Sequence, residues 1–355
     1  MTGLYIHIPF CLTKCPYCDF YSERYSKSLA GEYEKAVIRN LEHYDEAYDT
    51  VYFGGGTPVL LAEEISRIMK HIPLSDNAEI TVEANPCVSD KKRLSRLLES
   101  GVNRISFGVQ SMNEHELKFL GRRHSAQQAA EAVRLAHEIG FENISADLML
   151  GLPEQSEKDI LNSVSSLSAL PVTHISAYLL KIEEGTPFSS MDIDIPEDER
   201  LSDLYLYACE QLEKSGFMQY EISNFAKQGY ECKHNLKYWR CEEYLGIGAA
   251  AHSFYKGVRF CTERSISQFI AVEKQETVIT DEAAGDFDEF AMLKLRLSEG
   301  LSFKECEKFG VDKGIILNRC KSVPVEYISV NDNGISLTKK GFMLSNAVIG
   351  KILGY

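Results

Sequence analysis

The 355-residue sequence predicts an α/β fold built on a parallel sheet, with a smaller and mostly helical module at the C-terminus. Three observations carry this expectation. Six short apolar stretches alternate with amphipathic helical stretches over about the first 180 residues. The residues with the most distinctive chemistry sit at the ends of those apolar stretches. The pattern then changes after about residue 185.

The strand candidates, in order, are GLYIHI (3–8), TVYFGG (50–55), AEITVEA (78–84), NRISFGV (103–109), NISADLML (143–150) and HISAYLL (174–180). Between them lie helical patterns at 28–44, 62–72, 90–101, 125–140 and 156–170. Several of these begin at a Ser or Asp suited to cap free backbone N–H groups, and Gly101 and Gly140 close two of them. Repeated β–α units of this length imply parallel strands with right-handed crossovers. Periodicity alone leaves a doubly wound open sheet and a partial or full barrel as alternatives. GGGTP follows the second strand, Glu83 and ANP end the third, GVQS the fourth, and Asp147 with GLP the fifth. A (β/α) barrel assembles its active site on that rim, so one shared pocket is expected there.

After residue 185 an acidic loop precedes a helix near 197–215, and YLGIGAAAHSF (244–254) reads as a glycine-rich transition. From about residue 281 the chain is mostly helical, ending in a hairpin with Asn-Gly and a last helix, which gives a winged-helix-like pattern.

Composition narrows the function classes. Hydrophobic residues make up 44% and charged residues 25%, as in ordinary globular proteins. A net charge of −14 disfavours nucleic acid as a partner, because phosphate attracts basic surfaces. No apolar run is long enough to cross a membrane, and the N-terminus lacks a secretory pattern, so a cytoplasmic location is expected. Ten cysteines in such a chain are expected as ligands or reduced thiols. Cys87, Cys209, Cys306 and Cys320 are scattered and expected as small buried residues.

Cys11, Cys15 and Cys18 are the tight group, in CLTKCPYCDF, with spacers of three and two residues. A [4Fe–4S] cluster normally takes four thiolates, so three leave one iron open to a small molecule. Two other readings stand beside this one: a redox pair at Cys15 and Cys18, and a zinc site with His7 as fourth ligand.

YIHIPFCLTKCPYCDF, YFGGGTP, VEANP, GVQS, LGRRH and DLMLGLP together resemble the radical S-adenosylmethionine superfamily. More narrowly, the whole chain resembles the oxygen-independent coproporphyrinogen III oxidase family. The resemblance implies a partial (β/α)6 TIM-like barrel over 1–185, a family-specific extension over 186–280 and a winged-helix-like domain over 281–355. It implies a [4Fe–4S] cluster on Cys11, Cys15 and Cys18, with S-adenosylmethionine on the open iron. Gly55 and Gly56 would let backbone approach the amino acid moiety, and Thr57 adds a hydroxyl. Glu83, Gln110, Arg122 and Asp147 match cofactor contacts, with Arg122 suited to the carboxylate. Tyr5 matches a position beside the cofactor, and Tyr17 is expected over the adenine edge.

Two functions compete within the family. The oxidase decarboxylates two propionates of coproporphyrinogen III; its chaperone relatives bind haem and pass it to membrane-bound respiratory proteins. Oxidases carry a further cysteine where Phe20 stands, and a longer segment before the cluster than the ten residues preceding Cys11. HNLKYW (234–239) matches the His-Asn-x-x-Tyr-Trp motif of the chaperones. A neutral imidazole suits haem iron, and Tyr238 and Trp239 offer flat apolar area for a porphyrin. The resemblance therefore implies a haem chaperone without oxidase activity, holding haem through His234, Asn235, Tyr238 and Trp239. Cys232, Cys241 and His252 are rival ligands. Haem-accepting respiratory proteins, a reductant such as flavodoxin or ferredoxin, and a peripheral membrane contact are the expected partners; the oxidase is the alternative.

Overall fold

In the computed structural model, which describes residues 1–355, the expected β–α alternation is present. Strand β1 (Thr2–Ile8) leads through α1 (Lys27–Leu41) to β2 (Tyr48–Gly55), and α2 (Ala62–Ile68) to β3 (Leu74–Ala84). Then come α3 (Lys91–Glu99), β4 (Arg104–Gln110), the additional short helix α4 (Glu114–Phe119), α5 (Ala126–Ile139) and β5 (Asn143–Leu150). Helix α6 (Glu157–Ser168) and β6 (His174–Leu179) complete six units. The caps follow the sequence. Asp90 accepts from the Arg93 N–H, and Ser125 and Ser156 form capping boxes with Gln128 and Asp159. Gly140 ends α5 at φ 123°, a conformation that other residues resist.

All neighbours from β1 to β6 pair in parallel. Their side chains alternate between two environments, as the pleat requires. Leu4, Val51, Val82, Phe107, Ala146 and Ile175 belong to the apolar core under the helices. The residues between them include Tyr5, Tyr52, Glu83, Ser106, Asp147 and Ser176, which line cavities on the concave face. The sheet is thus covered on one face by hydrophobic packing and carries polar chemistry on the other.

Beyond residue 185 the structure departs from expectation. Helix α7 (Asp198–Lys214) is present, followed by β7 (Met218–Gln219), β8 (Asn224–Ala226) and α8 (Lys233–Trp239). The glycine-rich stretch at 244–254 is not a transition but two strands, β9 (Tyr244–Ile247) and β10 (His252–Tyr255), continued by β11 (Val258–Thr262), α9 (Ile266–Ala271) and β12 (Thr277–Asp281). Strand β9 pairs in parallel with β1, on the side away from β2. The whole sheet runs β12-β11-β10-β9-β1-β2-β3-β4-β5-β6-β8-β7, and its two edges do not meet. It is a partial barrel. One hydrophobic core of 58 residues extends from Leu4 to Phe269, so packing does not break at residue 185.

The C-terminal segment builds a second core of 16 buried residues. Helices α10 (Phe287–Lys294), α11 (Phe303–Lys308) and α12 (Lys313–Cys320) precede the hairpin of β14 (Ile328–Val330) and β15 (Gly334–Leu337), with β13 (Leu301–Ser302) on the other side of β15. Helices α13 (Lys339–Met343) and α14 (Ser345–Leu353) close it. This is a winged-helix-like arrangement.

Phe53 is fully buried in β2 within the larger core. Phe53→Ala is expected to cost about 3–5 kcal/mol, read as a lower urea midpoint; an unchanged midpoint would show that this packing does not hold the sheet.

Candidate active site and adjoining cavity

The cysteine loop leaves the C-terminal end of β1 and is held against the end of β2. The Gly56 N–H donates to the Ile8 carbonyl at 2.9 Å and the Thr57 N–H to the Phe10 carbonyl at 2.8 Å. A Cβ on Gly56 would lie 2.6 Å from the Phe10 oxygen and 2.8 Å from its nitrogen, both backbone atoms that cannot rotate away. Glycine at position 56 is therefore a steric requirement for bringing the cysteines to the rim. Gly55 sits at φ 113°, with its N–H donating to Glu83 Oε2 at 3.0 Å.

Cys11, Cys15 and Cys18 line one cavity of about 380 Å³. No other cysteine and no histidine lines it. His7, the zinc alternative's fourth ligand, lines a different cavity, and both its ring nitrogens are hydrogen bonded, to the Tyr5 hydroxyl and the Tyr21 carbonyl. The three thiols do not gather within 4.8 Å of one another. Sulfurs on a single tetrahedral zinc at about 2.3 Å would lie about 3.8 Å apart. This spread and this donor set fit a three-thiolate cluster and not a mononuclear zinc. Cys209, Cys306 and Cys320 are buried as expected, whereas Cys87 is exposed, in the turn that Asn85 caps after β3.

Gly55, Gly56, Thr57, Glu83, Gln110, Arg122, Asp147 and Tyr17 all line this same cavity, so the structure brings eight of the nine expected cofactor residues together. Tyr5 lies instead on the wall of the neighbouring cavity. Arg122 donates to Cys15 Sγ at 3.4 Å and to the Gly108 carbonyl, while its buried Nε has no partner. Burial, with the charge of Asp147 adding to it, pushes Glu83 up to about 7. Burial raises Asp147 to about 6. An orphaned guanidinium N–H and two buried carboxyls without an ion-pair partner fit a zwitterion with a ribose: carboxylate to Arg122, ammonium and hydroxyls to the acids. The residues present therefore fit both the cluster and S-adenosylmethionine.

Beside it lies a larger cavity of about 910 Å³. Asp19, Phe20, Tyr52, Glu83, Tyr178 and Asn235 line both, so they adjoin. Tyr238 and Trp239 of the HNLKYW motif wall the larger one. Helix α8 is docked by the other face of the motif. Lys237 Nζ reaches the Met1 carbonyl at 2.8 Å and Asp49 at 2.9 Å.

His234 does not stand where a haem ligand is expected. It is 1% exposed and lines neither cavity. One ring nitrogen is bonded to Thr50 Oγ1 at 2.8 Å and the other to the Tyr238 hydroxyl at 2.7 Å. Burial lowers its pKa to about 3, so it is neutral. Of the rivals, Cys232 is buried against Glu79, Cys241 lines neither cavity, and His252 lines the larger one.

Several site residues escaped sequence reasoning. Arg104 is 1% exposed and opens onto the cluster cavity, and an arginine inside the apolar strand NRISFGV was a usable signal. Glu221, Cys261, Arg264 and Arg296 line the larger cavity from four different segments, and no local pattern announces them.

Three outcomes follow from this geometry. Cys15→Ser is expected to lose the iron taken up on anaerobic reconstitution; unchanged iron content would refute the ligand set. Gly56→Ala is expected to reduce iron uptake as strongly, because the loop can no longer seat. Glu83 binds its proton more tightly folded than unfolded, so stability of the cofactor-free chain falls as pH rises from about 4.5 to about 7. Glu83→Gln should flatten that fall in urea titrations across the range; an equally steep fall would contradict the buried carboxyl.

A model of the radical SAM superfamily matches residues 5–167. The heme chaperone HemW of Bacillus subtilis is 36% identical over 100% of both chains. The heme chaperone HemW of Escherichia coli is 42% identical over 70% of this chain and 69% of its own. In fold, the chain is similar to the radical SAM coproporphyrinogen III oxidase HemN of Escherichia coli, with a TM-score of 0.83 and 22% identity over 100% of this chain and 90% of that one. The chain belongs to the radical SAM superfamily and, within it, to the HemW family.

Proposed function

We propose that this protein is a haem chaperone: it takes up haem in the larger cavity and releases it to haem-requiring respiratory proteins. The observation that carries this reading is the cavity itself. Its volume of about 910 Å³ lies within the range of sites that enclose a large organic ligand. Tyr238 and Trp239 give it flat apolar walls, and it opens directly onto the cysteine cavity. The relatives named heme chaperone support the same cargo.

Cys11, Cys15 and Cys18 would hold the cluster, and Arg122, Glu83 and Asp147 would hold S-adenosylmethionine. When bound, that pair supplies one-electron chemistry and a potential source of a carbon radical. The chain's own contribution is binding and orientation. Arg122 sets a positive charge beside the Cys15 sulfur, and Tyr52 and the Gly55 N–H fix the Glu83 carboxyl. Phe20, 61% exposed, lies on the boundary of the two cavities, where the oxidases would place another cysteine. An apolar ring there favours holding a porphyrin over modifying it. No helix is long and apolar enough to cross a membrane, so contact with membrane-bound acceptors would be peripheral. A reductant such as flavodoxin or ferredoxin and a cytoplasmic location complete the proposal.

Haemin titrated into the cluster-reconstituted chain should quench Trp239 and raise a Soret band, both saturating together. Trp239→Ala is expected to weaken binding about tenfold, the loss of one aromatic wall. Absence of saturable binding, with decarboxylation of coproporphyrinogen III, would instead establish the oxidase.

A further inference from the structure

We propose that His252 supplies the axial nitrogen to the haem iron, and that Arg264 and Arg296 receive the two propionates. This deepens the chaperone reading and rests on it.

Three histidines lie at or behind the wall of the larger cavity, and their hydrogen bonding separates them. His7 has both ring nitrogens engaged, by Tyr5 and Tyr21. His234 has both engaged, by Thr50 and Tyr238, and does not reach the cavity. To ligate iron it would have to give up a buried bond and move through the wall that its own partner Tyr238 forms. His252 lies at the exposed rim of the cavity, and its ring has no hydrogen-bond partner within the protein, so both nitrogens are free to meet a ligand. Partial desolvation, helped by the charge of Arg264, lowers its pKa from the ordinary value, keeping a lone pair available at neutral pH. It stands on β10, whose pairing with β11 and β9 fixes the backbone beneath it. His234 is then a positioning residue. It orients the Tyr238 hydroxyl and, with Lys237, docks α8 so that Trp239 meets the porphyrin face.

The cavity's charges match a dicarboxylate ligand. Arg264 and Arg296 both line it. The Arg296 Nε is buried with no partner, and its guanidinium lies 5.8 Å from the Trp239 ring centre, one nitrogen donating to Asn346 at 2.9 Å. Arg264 makes one bond, to the Asp19 carbonyl at 2.8 Å. Of the three acids lining the cavity, Glu221 and Glu83 are pushed toward the uncharged form, each to about 7 by burial, and the third, Asp19, meets Arg264 through its backbone carbonyl, with no ion pair to either arginine. Two under-compensated guanidiniums beside flat aromatic walls favour an anionic planar ligand. Cys261 is the direct cross-strand partner of His252 and lines the same cavity, so its thiol is the competing ligand.

The test uses the full-length, cluster-reconstituted chain with haemin as probe. Resonance Raman of the dithionite-reduced complex, excited in the Soret band, should show an iron–histidine stretch. His252→Ala should abolish that stretch, weaken haemin binding by roughly tenfold or more, and regain an iron–imidazole mode on adding imidazole. Arg264→Leu and Arg296→Leu should each weaken haemin several-fold and leave haemin dimethyl ester, which lacks the two anions, unaffected. Arg296→Lys should keep part of the preference for free haemin, separating charge from folding. A stretch that survives in His252→Ala but vanishes in His234→Ala overturns the assignment, as does a thiolate-type spectrum lost in Cys261→Ala. Equal weakening of haemin and its ester overturns the propionate pairing. A wild-type chain that binds no haemin overturns the chaperone reading itself, an outcome distinct from these.

Discussion

The close passage of the Phe10 backbone over Gly56 is the constraint on which the site depends. Two backbone hydrogen bonds tie the start of the cysteine loop to the end of β2, and they form only because position 56 has no side chain. From that contact the rest is fixed. The next residue back, Gly55, lends its N–H to Glu83 on β3, and Arg122 reaches from the loop before α5 to the Cys15 sulfur. Thiols, acids and guanidinium are thereby gathered on one rim, each delivered by a different strand, as parallel barrels do.

The barrel is left incomplete, and this gives the molecule its second cavity. A closed barrel fills its interior with side chains; here β9 extends the sheet beside β1, and β10 to β12 continue away from it. The concave face then has room for a ligand beyond the cofactor site. The chief cause of its electrostatics is burial. Burial raises Glu83, Asp147 and Glu221 toward neutrality, while arginines keep their charge in almost any setting. Arg264 and Arg296 are therefore less neutralised in the pocket than the net charge of −14 on the chain as a whole would suggest.

Much of this was legible in the sequence, and the limits have physical reasons. The six strands, their helices and the caps were readable because apolar runs and polar helical faces differ in period. The cysteine triad and the rim residues were readable because their chemistry is rare and they end strands. Strand β9 was missed: YLGI has only four residues, three of them buried, so it lacks the alternation that marks a half-exposed strand, and it is followed by glycine and alanines. The division at 185 followed the change of pattern, but packing continues through α7, β8 and β9 into one core. His234 illustrates a different limit. The motif locates the cavity through Asn235, Tyr238 and Trp239, while the roles inside it depend on which helix face meets Thr50, and that is a tertiary fact.

Whether haem lies in the cavity adjoining the cluster site is decided by locating iron. Crystals of the reconstituted chain with haemin, measured across the iron absorption edge, should show anomalous density both at the loop of Cys11, Cys15 and Cys18 and beside Trp239 between β10 and α8. Haem iron found on the outer surface of the molecule, with the Trp239 cavity empty, would show that this cavity is not the haem site.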